Sequence, residues 1–177
     1  MSKSNDVNFE KVKLIEAHEF RDSRGIFKKI FDRDKIEQII QGEFEIKQVN
    51  ISQNSLEGTV RGMHLQNEPY GESKIVFCSK GSVNDVVVDM RKKSDSYLQV
   101  FNFILDEKDA NVIYIPKGFA HGYQSLVDDS ELIYLSDNIY KKSYESGISP
   151  IEPIVLSQWT IPISQLSERD RSLPKIS

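Results

Sequence analysis

The 177-residue chain lacks several features that would place it at once. It has one cysteine, Cys78, so no internal disulfide can form. No apolar run approaches the roughly 18 residues that a membrane-spanning helix needs. The opening MSKSNDVNFEKV lacks the apolar stretch of a secretion signal, so the cytoplasm is the expected compartment. Basic charge is short too. Against 27 Asp and Glu stand 23 Lys and Arg, and the net charge of −4 argues against general nucleic-acid binding. Only three histidines are present, His18, His64 and His121, and a single histidine is more often structural than catalytic. Repeats, linkers and low-complexity segments are missing as well. One domain spanning residues 1–177 is expected.

What is there is a series of short runs rich in β-branched and aromatic residues, cut by Gly and Pro. KIVFCSKGSVNDVVVDM reads as two strands about a turn at Lys80-Gly81, and YLQVFNFIL, NVIYIP, HGYQSLV and SELIYLS follow at short intervals. The one strong helix candidate is DRDKIEQIIQG. Asp32 or Asp34 can cap it, Ile36, Ile39 and Ile40 form its apolar stripe, and Gly42 stops it. The polar tail SQLSERDRSLPKIS has room for a short helix. Many short strands with turns between them predict an all-β sandwich or barrel.

Strand alternation adds a site. In VRGMHLQ, His64 and Gln66 share one face while Met63 and Leu65 share the other. Gln48, Asn50 and Ser52 share a face of EIKQVNIS, Lys74 shares one with Val76 and Cys78, and Leu132 shares one with Tyr134. A sheet with its polar face in water explains this. A barrel with a polar lumen explains it too, and the unbroken apolar run in DVVVDM favours the barrel. In such a lumen His64 can act as a general base and Tyr134 as a general acid, while Lys74 can steady an oxyanion. Arg61, of opposite parity to His64, can clamp a phosphate from a strand end. Gly58-x5-His64 and Pro116-x-Gly118-x-x-His121 are similar to the two half-motifs of cupin barrels. With Gln66 where metal cupins carry a second histidine, only His64 and His121, with Glu72 as a third group, would be left as ligands. That is a poor donor set, and no metal is expected.

FRDSRGIF, QVNIS, VRGMHLQ, ESKIVFCSKGSVNDVVVDMRKKS, IPKGFAHGY, LIYLSDNIYKKSYESGI and LSERDRSLP stand in the order and spacing of one family. From about Leu14 to Pro174 the chain resembles the dTDP-4-dehydrorhamnose 3,5-epimerases. The resemblance implies a cupin-like antiparallel β-barrel, or jelly roll, with a few short helices. It implies a homodimer without metal or organic cofactor, acting on a nucleotide-diphosphate 4-keto sugar. It implies His64 as base, Asp170 as the carboxylate that orients it, Tyr134 as acid, and Lys74 near the keto oxygen. Arg24, Gln48, Asn50, Arg61, Gln66, His121, Tyr140 and Glu145 match positions of the nucleotide-sugar site.

The chain departs from the family pattern in places. Lys28 and Lys29 stand where a glutamate lies beside the nucleobase. A lysine only donates hydrogen bonds, so Lys29, expected to face the pocket, favours cytosine or guanine over thymine. SPIEP and WT replace the family's W-N-D-P and W-P segments, at the sugar end of the pocket. The substrate read from the sequence is therefore a nucleotide-linked 4-keto-6-deoxy sugar or a related 4-keto heptose, inverted at carbon 3, carbon 5 or both. A ketoisomerase or a non-catalytic sugar-binding cupin is the alternative.

Overall fold

The computed structural model describes residues 11–176. The chain begins with strands β1 (Lys13–Glu16), β2 (His18–Asp22) and β3 (Gly25–Lys29), then helix α1 (Arg33–Ile40). Next come β4 (Gln48–Asn54), β5 (Thr59–Gln66), β6 (Lys74–Lys80) and β7 (Ser82–Asp89). They lead to β8 (Val100–Asp106), β9 (Asn111–Ile115), β10 (Phe119–Ser125) and β11 (Ser130–Ser136). The C-terminal part holds short pieces, among them β12 (Glu145–Gly147), α2 (Pro153–Leu156), β13 (Gln165–Leu166) and α3 (Glu168–Arg171).

One antiparallel sheet runs β1-β9-β6-β11-β4 and the other β12-β5-β10-β7-β8, with β13 parallel to β5. Among the described residues, strands β2 and β3 pair only with each other. Val76, Cys78, Ile113 and Leu132 of the first sheet pack against Val83, Val87, Phe119 and Tyr123 of the second. This is the jelly-roll barrel that the family resemblance implies, and one of the two all-β forms that the strand pattern allows. Both sheets are also covered outside. Helix α1 lays Ile36 and Ile40 against Ile75, Val112 and Tyr114. Ile148 and Val155 cover Met63, Val86 and Val88. Strand β7 therefore sends Val87 inward and Val86 and Val88 outward, all buried, as its unbroken apolar run requires.

The local punctuation largely follows the sequence. The Asp32 side chain accepts from the Lys35 amide and caps α1. The helix stops one residue earlier than Gly42 suggests. Gln41 adopts the left-handed conformation, with φ 58, and its amide closes on the Glu37 carbonyl. The turn at Lys80-Gly81 joins β6 to β7, and the tail forms α3.

One irregularity shapes the site. His121 pairs with His64 and Tyr123 with Arg61, so Gly122 alone faces both Gly62 and Met63. This is a β-bulge. The extra residue resets the alternation, and Arg61 reaches the lumen alongside His64. The strands touch closely here. A Cβ on Gly62, whose φ is +121, would lie 2.5 Å from the Gly122 Cα. Gly62→Ala is expected to cost about 1–3 kcal/mol, seen as a lower urea midpoint at unchanged slope. A variant as stable as the parent would show that β5 and β10 can part to admit a methyl group.

Candidate active site

Where the inter-sheet core ends, the lumen opens into a cavity of about 1040 Å³. Its walls are the polar faces seen in the sequence. Strand β4 contributes Gln48, Asn50 and Ser52, β5 contributes Arg61 and His64, β10 contributes His121, and β11 contributes Tyr134. Lys74, the first residue of β6, also lines it. On β4 the usual polarity is inverted, since Val49 and Ile51 face outward and are exposed.

In the cavity wall, His64 is paired with Asp170. His64 Nε2 lies 2.7 Å from Asp170 Oδ1, and the other carboxylate oxygen accepts from the Gly62 amide at 3.3 Å. Asp170 itself is held by α3, whose N-cap Ser167 accepts from the Asp170 amide. Burial works against the Asp170 charge. The His64 hydrogen bond and charge, the Gly62 amide and Ser167 outweigh it, and the carboxyl sits below its ordinary range. A carboxylate on one imidazole nitrogen fixes the ring's tautomer and orientation and leaves the other nitrogen to take a proton.

Tyr134 faces this pair from the other sheet. Its phenol has no hydrogen-bond partner among the described residues, so it is open to a ligand. Burial first, then Tyr123 and Glu72, push its pKa above the ordinary value, against Arg61. Lys74 lies 3.2 Å from the Glu72 carboxylate. His121 Nε2 is bonded at 2.8 Å to Asp85, which is fully buried. Arg61 is held by the Asn54 side chain at 2.7 Å and the Gln53 carbonyl at 3.1 Å. At the rim, Glu145 accepts from the Tyr140 hydroxyl at 2.9 Å and pairs with Arg169.

Three sequence expectations change. Gln66 lines the cavity, but its amide is taken up by backbone. It donates to the Tyr70 and Ile139 carbonyls and accepts from the Lys141 amide, tying two loops to β5. Arg24 sits in the exposed turn between β2 and β3 and pairs with Asp22, outside the cavity. Lys29 pairs with Asp32 at 3.2 Å instead of facing the pocket, and Lys28 bonds the Glu107 and Asp109 carbonyls. The reason is topological: β2 and β3 form a separate hairpin that does not join either wall of this chain's cavity. Neither lysine of the hairpin therefore stands in this chain's own cavity. Conversely, Arg169 and Arg171 line the cavity and escaped the sequence reading, although they flank Asp170 in ERDR. Glu72, weighed only as a metal ligand, is the partner of Lys74.

An orientable base and an unpaired acid on opposing sheets, with an ammonium between strands, can remove a proton from one side of a sugar ring and return one to the other. Barrel and site together are those of a nucleotide-sugar epimerase, an isomerase. Residues 6–177 match the dTDP-4-dehydrorhamnose 3,5-epimerase family. A dTDP-4-dehydrorhamnose 3,5-epimerase of Shigella flexneri is 35% identical over 159 residues, 90% of this chain and 87% of that one. A dTDP-4-dehydrorhamnose 3-epimerase of Streptomyces niveus is 33% identical, covering 93% of this chain and 79% of its own. The crystal structure of the Bacillus anthracis 3,5-epimerase with TDP and pyrophosphate bound superposes with a TM-score of 0.90. It is 31% identical and covers 97% of this chain and 98% of its own. The chain belongs to the dTDP-4-dehydrorhamnose 3,5-epimerase family.

The His64–Asp170 bond also contributes to stability in a pH-dependent way. A carboxyl held below its unfolded value, near 3.9, stabilises the fold above that pH. The contribution fades as pH falls through the lower folded value. In urea unfolding between pH 6 and 3, the stability gap between the parent and Asp170→Asn is expected to shrink below about pH 4. A gap that stays constant across that range would show that the carboxylate's charge does not stabilise the fold.

Proposed function

We propose that the protein epimerises a dTDP-linked 4-keto-6-deoxy sugar at carbon 3, carbon 5 or both. The observation that carries this reading is the His64–Asp170 pair facing the unpartnered Tyr134 phenol across one cavity. The ketone at carbon 4 acidifies the neighbouring C–H bonds. His64, oriented by Asp170, takes the proton, and the electron pair moves onto the keto oxygen as an enolate. Lys74 supplies hydrogen bonds to that oxygen. Tyr134 returns a proton to the opposite face, and the centre is inverted. Arg61, Arg169 and Arg171 offer guanidinium groups for the diphosphate. The nucleotide is assigned as dTDP from the relatives' substrates, since no described residue of this cavity selects another.

Incubation with the dTDP-linked 4-keto sugar in deuterated water, followed by NMR, tests the reading. Deuterium is expected at carbon 3, carbon 5 or both, with inversion, and a chelator should not stop it. His64→Ala should lower exchange and inversion together, by about 10²-fold or more. Tyr134→Phe keeps the base, so exchange with retention should outlast inversion. Wild-type protein that leaves the carbon-bound protons in place would rule out epimerisation, and a fully active Tyr134→Phe would remove that residue from the mechanism.

The protein is also proposed to act as a homodimer. Phe20 and Phe27 of the β2–β3 hairpin are 60% and 63% exposed, and Val49 and Ile51 on the outer face of β4 are 60% and 61% exposed. Large apolar side chains grouped on a hairpin and a sheet edge are costly in water and suit a second copy of the chain. Light scattering is expected to give a dimer mass, and the double variant Phe20→Asp, Phe27→Asp a monomer. A wild-type monomer at all accessible concentrations would contradict the assembly.

A further inference from the structure

Glu72 lines the cavity and has no part in the proton transfers above. Its carboxylate lies 3.2 Å from the Lys74 ammonium, and the two side chains are only 12% and 10% exposed. Among the described residues Lys74 has no other ionic partner. Strand β11 pairs Ser136 with Lys74 and Tyr134 with Val76, so Lys74 and Tyr134 stand diagonally on one face of the sheet. We propose that Glu72 is a positioning residue of the epimerase reaction, whose carboxylate anchors the Lys74 ammonium beside the Tyr134 phenol so that cation and acid keep a fixed geometry around the keto oxygen. This inference rests on the function proposed above.

Lysine is a strongly hydrated point charge on a flexible four-carbon stem. Left alone in the lumen, it would swing away from the substrate position. A carboxylate in ion-pair contact at 3.2 Å holds the ammonium in place while its N–H donors stay available to a substrate oxygen. The pair is also neutral, so an uncharged sugar ring can enter without leaving an uncompensated buried charge. Two other carboxylates of the site serve the same end: Asp170 holds His64, and Asp85 holds His121. Glu72 gives Lys74 what those residues give the imidazoles.

The Glu72 charge reaches Tyr134 as well. After burial and Tyr123, it is the next influence holding the proton on the phenol, and Arg61 opposes it. The other titratable or charged groups facing Tyr134 are Arg61 and His64 on β5, Tyr123 and His121 on β10, and Lys74 on β6. Tyr140, Glu145 and the run Arg169, Asp170, Arg171 stand at the rim. Strand β4, beside Tyr134 in the sheet, presents only Gln48, Asn50 and Ser52.

Two substitutions separate anchoring from charge. Glu72→Gln keeps an oxygen for Lys74 and removes the charge, whereas Glu72→Ala removes both. With the dTDP-linked 4-keto sugar, Glu72→Ala is expected to lose about tenfold or more in kcat, as misplaced groups do, and Glu72→Gln clearly less. Titration of Tyr134 is followed separately by NMR of tyrosine labelled at Cζ, its signal identified with Tyr134→Phe. In both Glu72 variants its ionisation should move to lower pH. Parent-like kcat in Glu72→Ala, or an unmoved Tyr134 titration in Glu72→Gln, overturns the proposal. The titration needs no substrate. A protein inert toward the dTDP-linked 4-keto sugar, whose Tyr134 still responds to Glu72, refutes the epimerase reading while keeping the charge coupling.

Discussion

The hydrogen bond between His64 and Asp170 joins residues 106 positions apart, and it forms only because the C-terminal segment is strapped across β5, β10 and β7. The strap is made of buried amides. The fully buried Gln124 donates to the Ile161 carbonyl at 2.8 Å and accepts from the Thr160 and Ile161 amides. Asn84 donates to the Gln158 carbonyl at 2.7 Å, and the Ser164 amide reaches the Gly58 carbonyl at 3.0 Å. A buried amide left without its partner costs about 1–3 kcal/mol, so the segment has one resting place. Strand β13 then aligns with β5, Ser167 starts α3, and the first turn of that helix delivers Asp170 to the imidazole. Secondary structure near the C-terminus is slight, yet the site depends on it.

Within the lumen, charge is arranged in pairs. His64 with Asp170, His121 with Asp85 and Lys74 with Glu72 each set a cationic or protonatable group against a carboxylate. Buried ion pairs are weak contributors to stability, because desolvation offsets their attraction. Their concentration around one cavity therefore points to chemistry. Asp89 is the structural counterpart. It is fully buried, but Arg91, Ser96 and Ser94 overcome the burial and bring its carboxyl to about 2, locking the loop after β7 outside the cavity lining.

The hairpin shows how far strand alternation can be taken. It correctly puts Lys28 and Lys29 on opposite faces, because successive side chains of a strand must diverge. What each face meets is a separate matter. Strands β2 and β3 leave the barrel, so Lys29 meets Asp32 and Lys28 meets the carbonyls of the β8–β9 turn. Gln66 makes the same point from inside the lumen. Its inward direction was legible, but its engagement by the nearby Tyr70 carbonyl and by two backbone groups of a distant loop was not.

Local pattern in the chain marked the strands, offered Asp32 or Asp34 as the helix cap, marked the turn at Gly81, and set His64 and Gln66 on one strand face and Lys74 and Tyr134 on others that a barrel would turn inward. These follow from alternation, capping and backbone preference, which act over a few residues. The order of its seven blocks also carried the family, and with it the pairing of His64 with Asp170. Alternation alone puts Arg61 opposite His64; the family resemblance put it in the site, and the tertiary structure supplies the cause, a bulge facing Gly122 that breaks the alternation. The tertiary structure alone decided that Glu72 partners Lys74, that Arg169 and Arg171 enter the site, and that the β2–β3 hairpin stands apart. Those outcomes depend on which distant surfaces meet, and a local periodicity holds no record of its partner across the barrel.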